Sequence, residues 1–200
     1  MLVIGLTGPS GAGKGVVAEL LREYGLEVID ADRVYHSLLI PPSSCLNALC
    51  ERFGNAILAT DGTLDRKVLG SIVFSDPAAL KDLNTIAHRF VMDAIRNRLQ
   101  SLRQAGTVAA VIDAPQLFEA GAEADCDVVL SVLAEQEVRI QRIVRRDSIP
   151  PEAALQRIRA QKSDEFFRTH SDYIIENHGT VEQLRPQVRR ILLETGVLPR

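Results

Sequence analysis

The chain has 200 residues, 46% of them hydrophobic, enough to bury a substantial core as one domain or one domain with an insertion, which excludes disorder over most of its length. With 23 Lys+Arg against 26 Asp+Glu the net charge is −3, and with 4% aromatic residues and no basic stripe interleaved with aromatics a nucleic-acid-binding module is excluded. Three cysteines (Cys45, Cys50, Cys126), with no CxxC pair and no histidine at ligand spacing, fit a reducing compartment and no structural zinc. No window approaches the roughly 18 apolar residues of a membrane span. Met1 runs straight into an apolar stretch without a basic leader, so the expectation is a cytoplasmic protein.

Leu2-Val3-Ile4-Gly5-Leu6 reads as a buried strand, followed by the glycine-rich stretch Thr7 to Lys14 and by Val16, Val17, Leu20 and Leu21 at helical spacing. Gly25 ends that helix, and Leu26 to Ile29 form a second strand running into the polar cluster Asp30-Ala31-Asp32-Arg33. Pro41-Pro42-Ser43-Ser44 marks a turn before a helix through Leu46, Leu49 and Phe53. From Gly54 to Gly106 the pattern is helical without a convincing strand: a turn at Asp61-Gly62, a short helix from Asp65 to Phe74, and a long helix opened by Ser75-Asp76-Pro77. This stretch reads as an insertion. Val108 to Asp113 and Val128 to Val132 are continuous apolar strands of the kind covered by helices on both faces. Helices over Glu135 to Arg146 and Glu152 to Gln161, a strand at Tyr173 to Ile175 and a helix from Val181 to Glu194 complete a doubly wound α/β pattern.

Gly8-x-x-x-x-Gly13-Lys14 carries the strongest chemical signal. Glycines let successive backbone N–H groups point inward around a phosphate, the following helix offers its positive end, and lysine adds a mobile ammonium. Only four of the 23 basic residues are lysines, so one at this place is informative. A Ser or Thr hydroxyl that binds Mg²⁺ ordinarily follows the lysine, whereas Gly15 and Val16 stand here. The metal is then expected to be held through substrate phosphates and water, an arrangement Mg²⁺ tolerates because it dehydrates reluctantly.

Asp30 and Asp32 are candidates to accept or orient the proton of an attacking hydroxyl, with turn or cap roles as the plain alternative. Asp113, closing an apolar strand, is a candidate to act on Mg²⁺ or its waters, with Glu119 second and helix capping the alternative for both. Arg139, Arg142, Arg145 and Arg146 could balance charge on a transferring phosphoryl if their helix closes over nucleotide, Arg142 and Arg146 sharing one face. His36, His88, His170 and His178 read as surface or packing residues.

Assembled in order, these residues resemble the dephospho-coenzyme A kinase family nearly end to end. The likeness runs from Ile4-Gly5-Leu6-Thr7-Gly8 and Gly13-Lys14 through Val28-Ile29-Asp30-Ala31-Asp32 and Asp61-Gly62-Thr63-Leu64-Asp65-Arg66 to His88 and Asp113-Ala114-Pro115. It continues with Leu117-Phe118-Glu119, Arg142, Arg146-Asp147, Arg157-Ile158, Gln161 and Asp172-Tyr173-Ile174-Ile175-x-Asn177-x-Gly179. The resemblance implies a doubly wound parallel five-stranded sheet of P-loop kinase type with a helical substrate-domain insertion and a helical lid. It divides the single domain, 1–200, into a core of about 1–53, 107–134 and 169–200, a CoA-binding insertion of about 54–106 and a lid of about 135–168.

The activity implied is transfer of the ATP γ-phosphoryl to the ribose 3′-hydroxyl of dephospho-CoA, the last step of coenzyme A biosynthesis, with Mg²⁺ held through ATP and waters near Asp113. By position, Asp32, Lys14 and Arg142 would be catalytic. Pro9, Ser10, Gly11, Ala12, Gly13, Lys14, Gly15, Val16, Arg142 and Asn177 would bind ATP, and Thr7, Asp32, His88, Asp113 and Pro115 would bind dephospho-CoA. Besides the loop hydroxyl, the sequence departs from the family pattern at Gln116 (usually leucine), Arg89 (usually proline) and Phe167 (commonly lysine). The alternatives are another small P-loop kinase acting on a nucleotide or metabolite, and a nucleotide- or CoA-binding relative without catalysis.

Overall fold

The opening apolar run forms β1 (Leu2–Thr7) in a computed structural model that describes residues 1–199. In chain order there follow α1 (Lys14–Glu23), β2 (Glu27–Asp30), α2 (Ala31–Ser37), α3 (Ser44–Phe53), α4 (Arg66–Val73) and α5 (Pro77–Gln104). Then come β3 (Ala109–Asp113), β4 (Val128–Leu133), α6 (Gln136–Asp147), α7 (Pro151–Arg159), α8 (Asp164–His170), β5 (Tyr173–Glu176) and α9 (Val181–Glu194). The chain divides into two compact units, one made of Met1–Ile29 and the chain from Leu102 onward, the other of Asp30–Ser101.

The first unit is built on the parallel sheet, in the order β2-β3-β1-β4-β5. Register runs from Leu2 opposite Ala109 to Leu6 opposite Asp113, from Ile4 opposite Val128 to Thr7 opposite Ser131, and from Leu130 opposite Tyr173 to Leu133 opposite Glu176. Each central strand is buried nearly throughout because helices cover the sheet, which explains the unbroken apolar runs. Ile4, Leu6, Val111 and Leu130 pack with Val17 and Leu21 of α1 and with Val188 and Leu192 of α9. Carboxylates tie down strand starts: Asp127 accepts from Val3 N–H and Asp172 from Val129 N–H, both at 2.7 Å.

Cys126 lies in this unit just before β4, its Sγ donating to the Ala122 carbonyl at 3.3 Å. Burial, reinforced by Asp125, Glu123 and Asp127, pushes the thiol up to about 12. The unfolded chain would lose that proton near pH 8.5, so the contribution of Cys126 to stability is present below that pH and is lost as pH rises toward 12. Iodoacetamide at pH 8.5 is therefore expected to leave Cys126 unmodified in the native protein and to alkylate it in urea. Equal alkylation in both states, read by peptide mass mapping, would contradict this burial.

The second unit is helical. Its core gathers Leu39, Cys45, Leu49, Ile57, Leu69, Val73 and Ala79, with Leu80, Leu83, Ile86 and Phe90 of α5 packed against it. Helix starts are fixed by side-chain caps: Ser43 accepts from Leu46 N–H at 3.1 Å, and Asp65 accepts from Lys67 N–H and Val68 N–H at 2.9 and 3.1 Å.

Residues 30–53, expected from sequence to belong with the core, cluster instead with the helices that follow, because Leu39, Cys45 and Leu49 bury themselves against Ile57 and Leu69. The polar cluster after β2 is the start of α2, and 164–170, not foreseen as a helix, form α8. No helix among the described residues is long and apolar enough to cross a membrane.

Candidate active site

In the first unit, the turn between β1 and α1 is shaped by backbone positions that only glycine fills without strain. Gly8 has φ +143°, and a Cβ there would lie 2.3 Å from the Val132 carbonyl oxygen. Gly13, at φ +94°, would place a Cβ 2.1 Å from Asn177 Nδ2. A Gly8→Ala variant is expected to lose about 1–3 kcal/mol from backbone strain alone. Urea unfolding checks it, and a midpoint equal to wild type would show that the turn adopts another path.

The carbonyls of this turn are held from outside. Arg142 Nη1, on α6, donates to the carbonyls of Gly11 and Ala12, each at 3.2 Å, and Nη2 donates to Asn177 Oδ1 at 3.2 Å. Asn177, just beyond β5 and 3% exposed, donates from Nδ2 to the Ala12 carbonyl at 2.7 Å. In a trans peptide the C=O of one residue and the N–H of the next point in opposite directions. Holding the Ala12 carbonyl on one side therefore turns the Gly13 N–H to the other. No side chain caps α1 and no acidic residue stands in its first turn, so the positive end of the helix opens onto the same turn.

Lys14 begins α1, and its ammonium pairs with Asp113, the last residue of β3 and only 6% exposed. Thr7 closes β1, and its hydroxyl donates to the Pro115 carbonyl at 3.4 Å. One cation, a row of amides and a buried carboxylate thus meet at the carboxyl ends of β1 and β3, where doubly wound sheets bind ligands. Such an arrangement suits a polyphosphate, whose negative oxygens accept from amides and from the lysine.

Of the residues singled out in the sequence, Thr7, Pro9 to Val16, Asp113, Pro115, Arg142 and Asn177 all belong to this unit. Asp32 and His88 belong to the other, Asp32 exposed in the first turn of α2 and His88 half-buried on α5. Asp30 caps α2, accepting from Arg33 N–H at 3.0 Å. Arg146, which shares a helical face with Arg142, pairs instead with Asp147 at 2.7 Å. Asp147 also takes Arg157, and the two guanidinium groups, Arg146 foremost, lower its carboxyl to about 2. Glu119 lies 3.9 Å from Lys162. Phe167 is buried beside Phe118 and Phe166, which gives the aromatic residue a packing role.

In the sequence Arg139 stands out only as one of four clustered arginines. The structure buries it against the turn, with Nε donating to the Ser10 carbonyl at 3.0 Å, while Gln161 Oε1 accepts from Ser10 N–H at 3.0 Å. No local pattern could have announced a contact spanning 129 residues of chain.

A family model described as dephospho-CoA kinase matches residues 2–183. A protein from Syntrophotalea carbinolica named dephospho-CoA kinase is 40% identical over 188 residues, covering 94% of this chain and 89% of the relative. Among solved structures, one from Thermus thermophilus is similar with a TM-score of 0.79 at 33% identity, covering 96% of this chain and 97% of that one. A dephospho-CoA kinase from Campylobacter jejuni is similar with a TM-score of 0.72 at 26% identity, covering 98% of each chain.

Proposed function

The chain belongs to the dephospho-CoA kinase family, and on that premise we propose that it transfers the γ-phosphoryl of ATP to the ribose 3′-hydroxyl of dephospho-CoA, giving coenzyme A and ADP. The observation that carries this reading is the turn from Gly8 to Lys14, whose carbonyls are held by Arg142 and Asn177 while Lys14 stands beside Asp113.

Backbone amides of Pro9 to Val16, proline excepted, would donate to the phosphate chain, with the Lys14 ammonium on the β- and γ-phosphate oxygens. Arg142 and the Asn177 loop would border the nucleotide. In the helical unit Asp32 would take or orient the proton of the attacking 3′-hydroxyl and His88 would bind dephospho-CoA; in the sheet unit Thr7, Asp113 and Pro115 would bind dephospho-CoA. Phosphoryl transfer asks of these groups mainly position and charge balance.

Mg²⁺ supplies neutralisation of phosphate charge when bound. The residues would hold it through water, since Gly15 and Val16 after the lysine offer no hydroxyl. Asp113 is the carboxylate beside Lys14 that would receive its hydration shell.

Incubation of the protein with Mg·ATP and dephospho-CoA tests the proposal. The expected product carries a new 3′-phosphate, identified by mass and by its action as a coenzyme A substrate in a downstream enzymatic assay. Phosphorylation of nucleoside monophosphates with dephospho-CoA left untouched, or ATP binding without turnover in Mg²⁺ or Mn²⁺, would refute it.

A further inference from the structure

Arg139 is a costly residue at its position. It is 3% exposed on α6, and its guanidinium makes two hydrogen bonds, Nε to the Ser10 carbonyl and Nη1 to Asp164 Oδ1, both at 3.0 Å. Nη2 is buried with no hydrogen-bond partner. Burial pushes the guanidinium down from its ordinary value, opposed by Asp164. A buried charge with an unsatisfied donor is commonly less stable than an apolar side chain of similar size, so its contribution is to be sought elsewhere than in stability.

The contacts of Arg139 concentrate on one peptide of the glycine turn. Gln161 accepts from Ser10 N–H while Arg139 donates to Ser10 C=O, so both polar backbone groups of that residue are held by the segment running from α6 to the start of α8. The backbone of Arg139 also touches the turn directly, since a Cβ on Gly11 would lie 2.7 Å from the Arg139 carbonyl oxygen. With the Ser10 carbonyl held toward Arg139, the Gly11 N–H of the same trans peptide faces the opposite way. Arg142 and Asn177 do the same for the peptide joining Ala12 to Gly13.

Resting on the phosphate-binding reading of this turn, we propose that Arg139 is a positioning residue: by holding the Ser10 carbonyl, with Asp164 fixing its guanidinium, it aims the Gly11 N–H at the phosphates of the nucleotide. The pair also links α8 to the turn, so that loosening Asp164 weakens nucleotide binding through Arg139 without a contact of its own.

Arg139→Met fills the volume without the charge. It is expected to leave thermal stability unchanged or raised, to weaken ATP binding about tenfold by calorimetry, and to speed amide exchange at 8–13 in the nucleotide-free protein. The KM for dephospho-CoA is expected to stay within about twofold, and Arg139→Lys to recover part of the ATP affinity. Asp164→Ala, at a side chain 43% exposed and therefore tolerant of change, removes the acceptor of Arg139 Nη1 and is expected to weaken ATP binding about threefold.

Lower thermal stability with wild-type ATP affinity in Arg139→Met would make the residue merely structural. Unchanged ATP affinity and unchanged exchange in Asp164→Ala would overturn the proposal even if Arg139→Met failed to fold. Binding and exchange need no turnover, so a wild type that makes no coenzyme A while Arg139→Met still loses ATP affinity refutes the kinase reading alone. A wild type that binds no ATP refutes both.

Discussion

Replacing Lys14 by alanine is expected to lower kcat/KM for ATP by on the order of 10²–10³, the loss typical when one preorganised donor to developing charge is removed. Lys14 begins α1, where no side chain caps the helix, and its ammonium pairs with Asp113. The same substitution strips a partner from a carboxylate that is 6% exposed, so a stability loss of about 1–3 kcal/mol accompanies the catalytic one. The two effects separate in the double variant Lys14→Ala/Asp113→Asn, which removes the carboxylate charge together with the ammonium. That variant is expected to regain most of the stability and none of the activity. Calorimetry with ATP and urea unfolding read the two quantities independently, and wild-type ATP affinity in Lys14→Ala would move the phosphates away from this turn.

The parts of the molecule that the sequence made legible are those whose causes are local. The apolar run before Gly8, the glycines, and the helical spacing of Val17, Leu20 and Leu21 specify β1, the turn and α1 within some twenty residues, and the strand and helix follow that pattern closely. Other local signals were present. Asp30 followed by a polar cluster reads as a strand end with a cap role as the alternative, and it is both: it closes β2 and its carboxylate caps α2. Ser163, with acidic residues directly after it, is a helix-start pattern, and it caps α8 by accepting from Phe166 N–H at 3.2 Å.

The grouping of 30–53 with the helices that follow rests on packing alone. Leu39 and Leu49 show no preference in sequence for the sheet or for α4, and only packing against Ile57 and Leu69 decides it. The holding of the turn's carbonyls by Arg139, Arg142 and Asn177 depends on residues brought together across the sheet. Spacing along the chain carries no trace of it.

Asp32→Asn is expected to reduce kcat by roughly 10²–10⁴ while leaving the affinity for ATP within about twofold. The local structure separates the two acids of the Asp30-Ala31-Asp32 motif. Asp30 accepts from Arg33 N–H and so fixes the start of α2, whereas Asp32 lies in the first turn with its side chain exposed. Asparagine caps helices about as well as aspartate, so Asp30→Asn should preserve both fold and turnover and serves as the control of equal chemistry. At position 32 the same change keeps size and one acceptor oxygen but removes the basicity needed to take a proton from the 3′-hydroxyl. A loss near the lower end would mean that Asp32 chiefly orients the hydroxyl, because the amide oxygen can still accept its hydrogen bond. A loss near the upper end would mean that it removes the proton as the phosphoryl transfers. Single-turnover measurements at saturating ATP and dephospho-CoA distinguish these, and full turnover in the variant would take Asp32 out of the reaction.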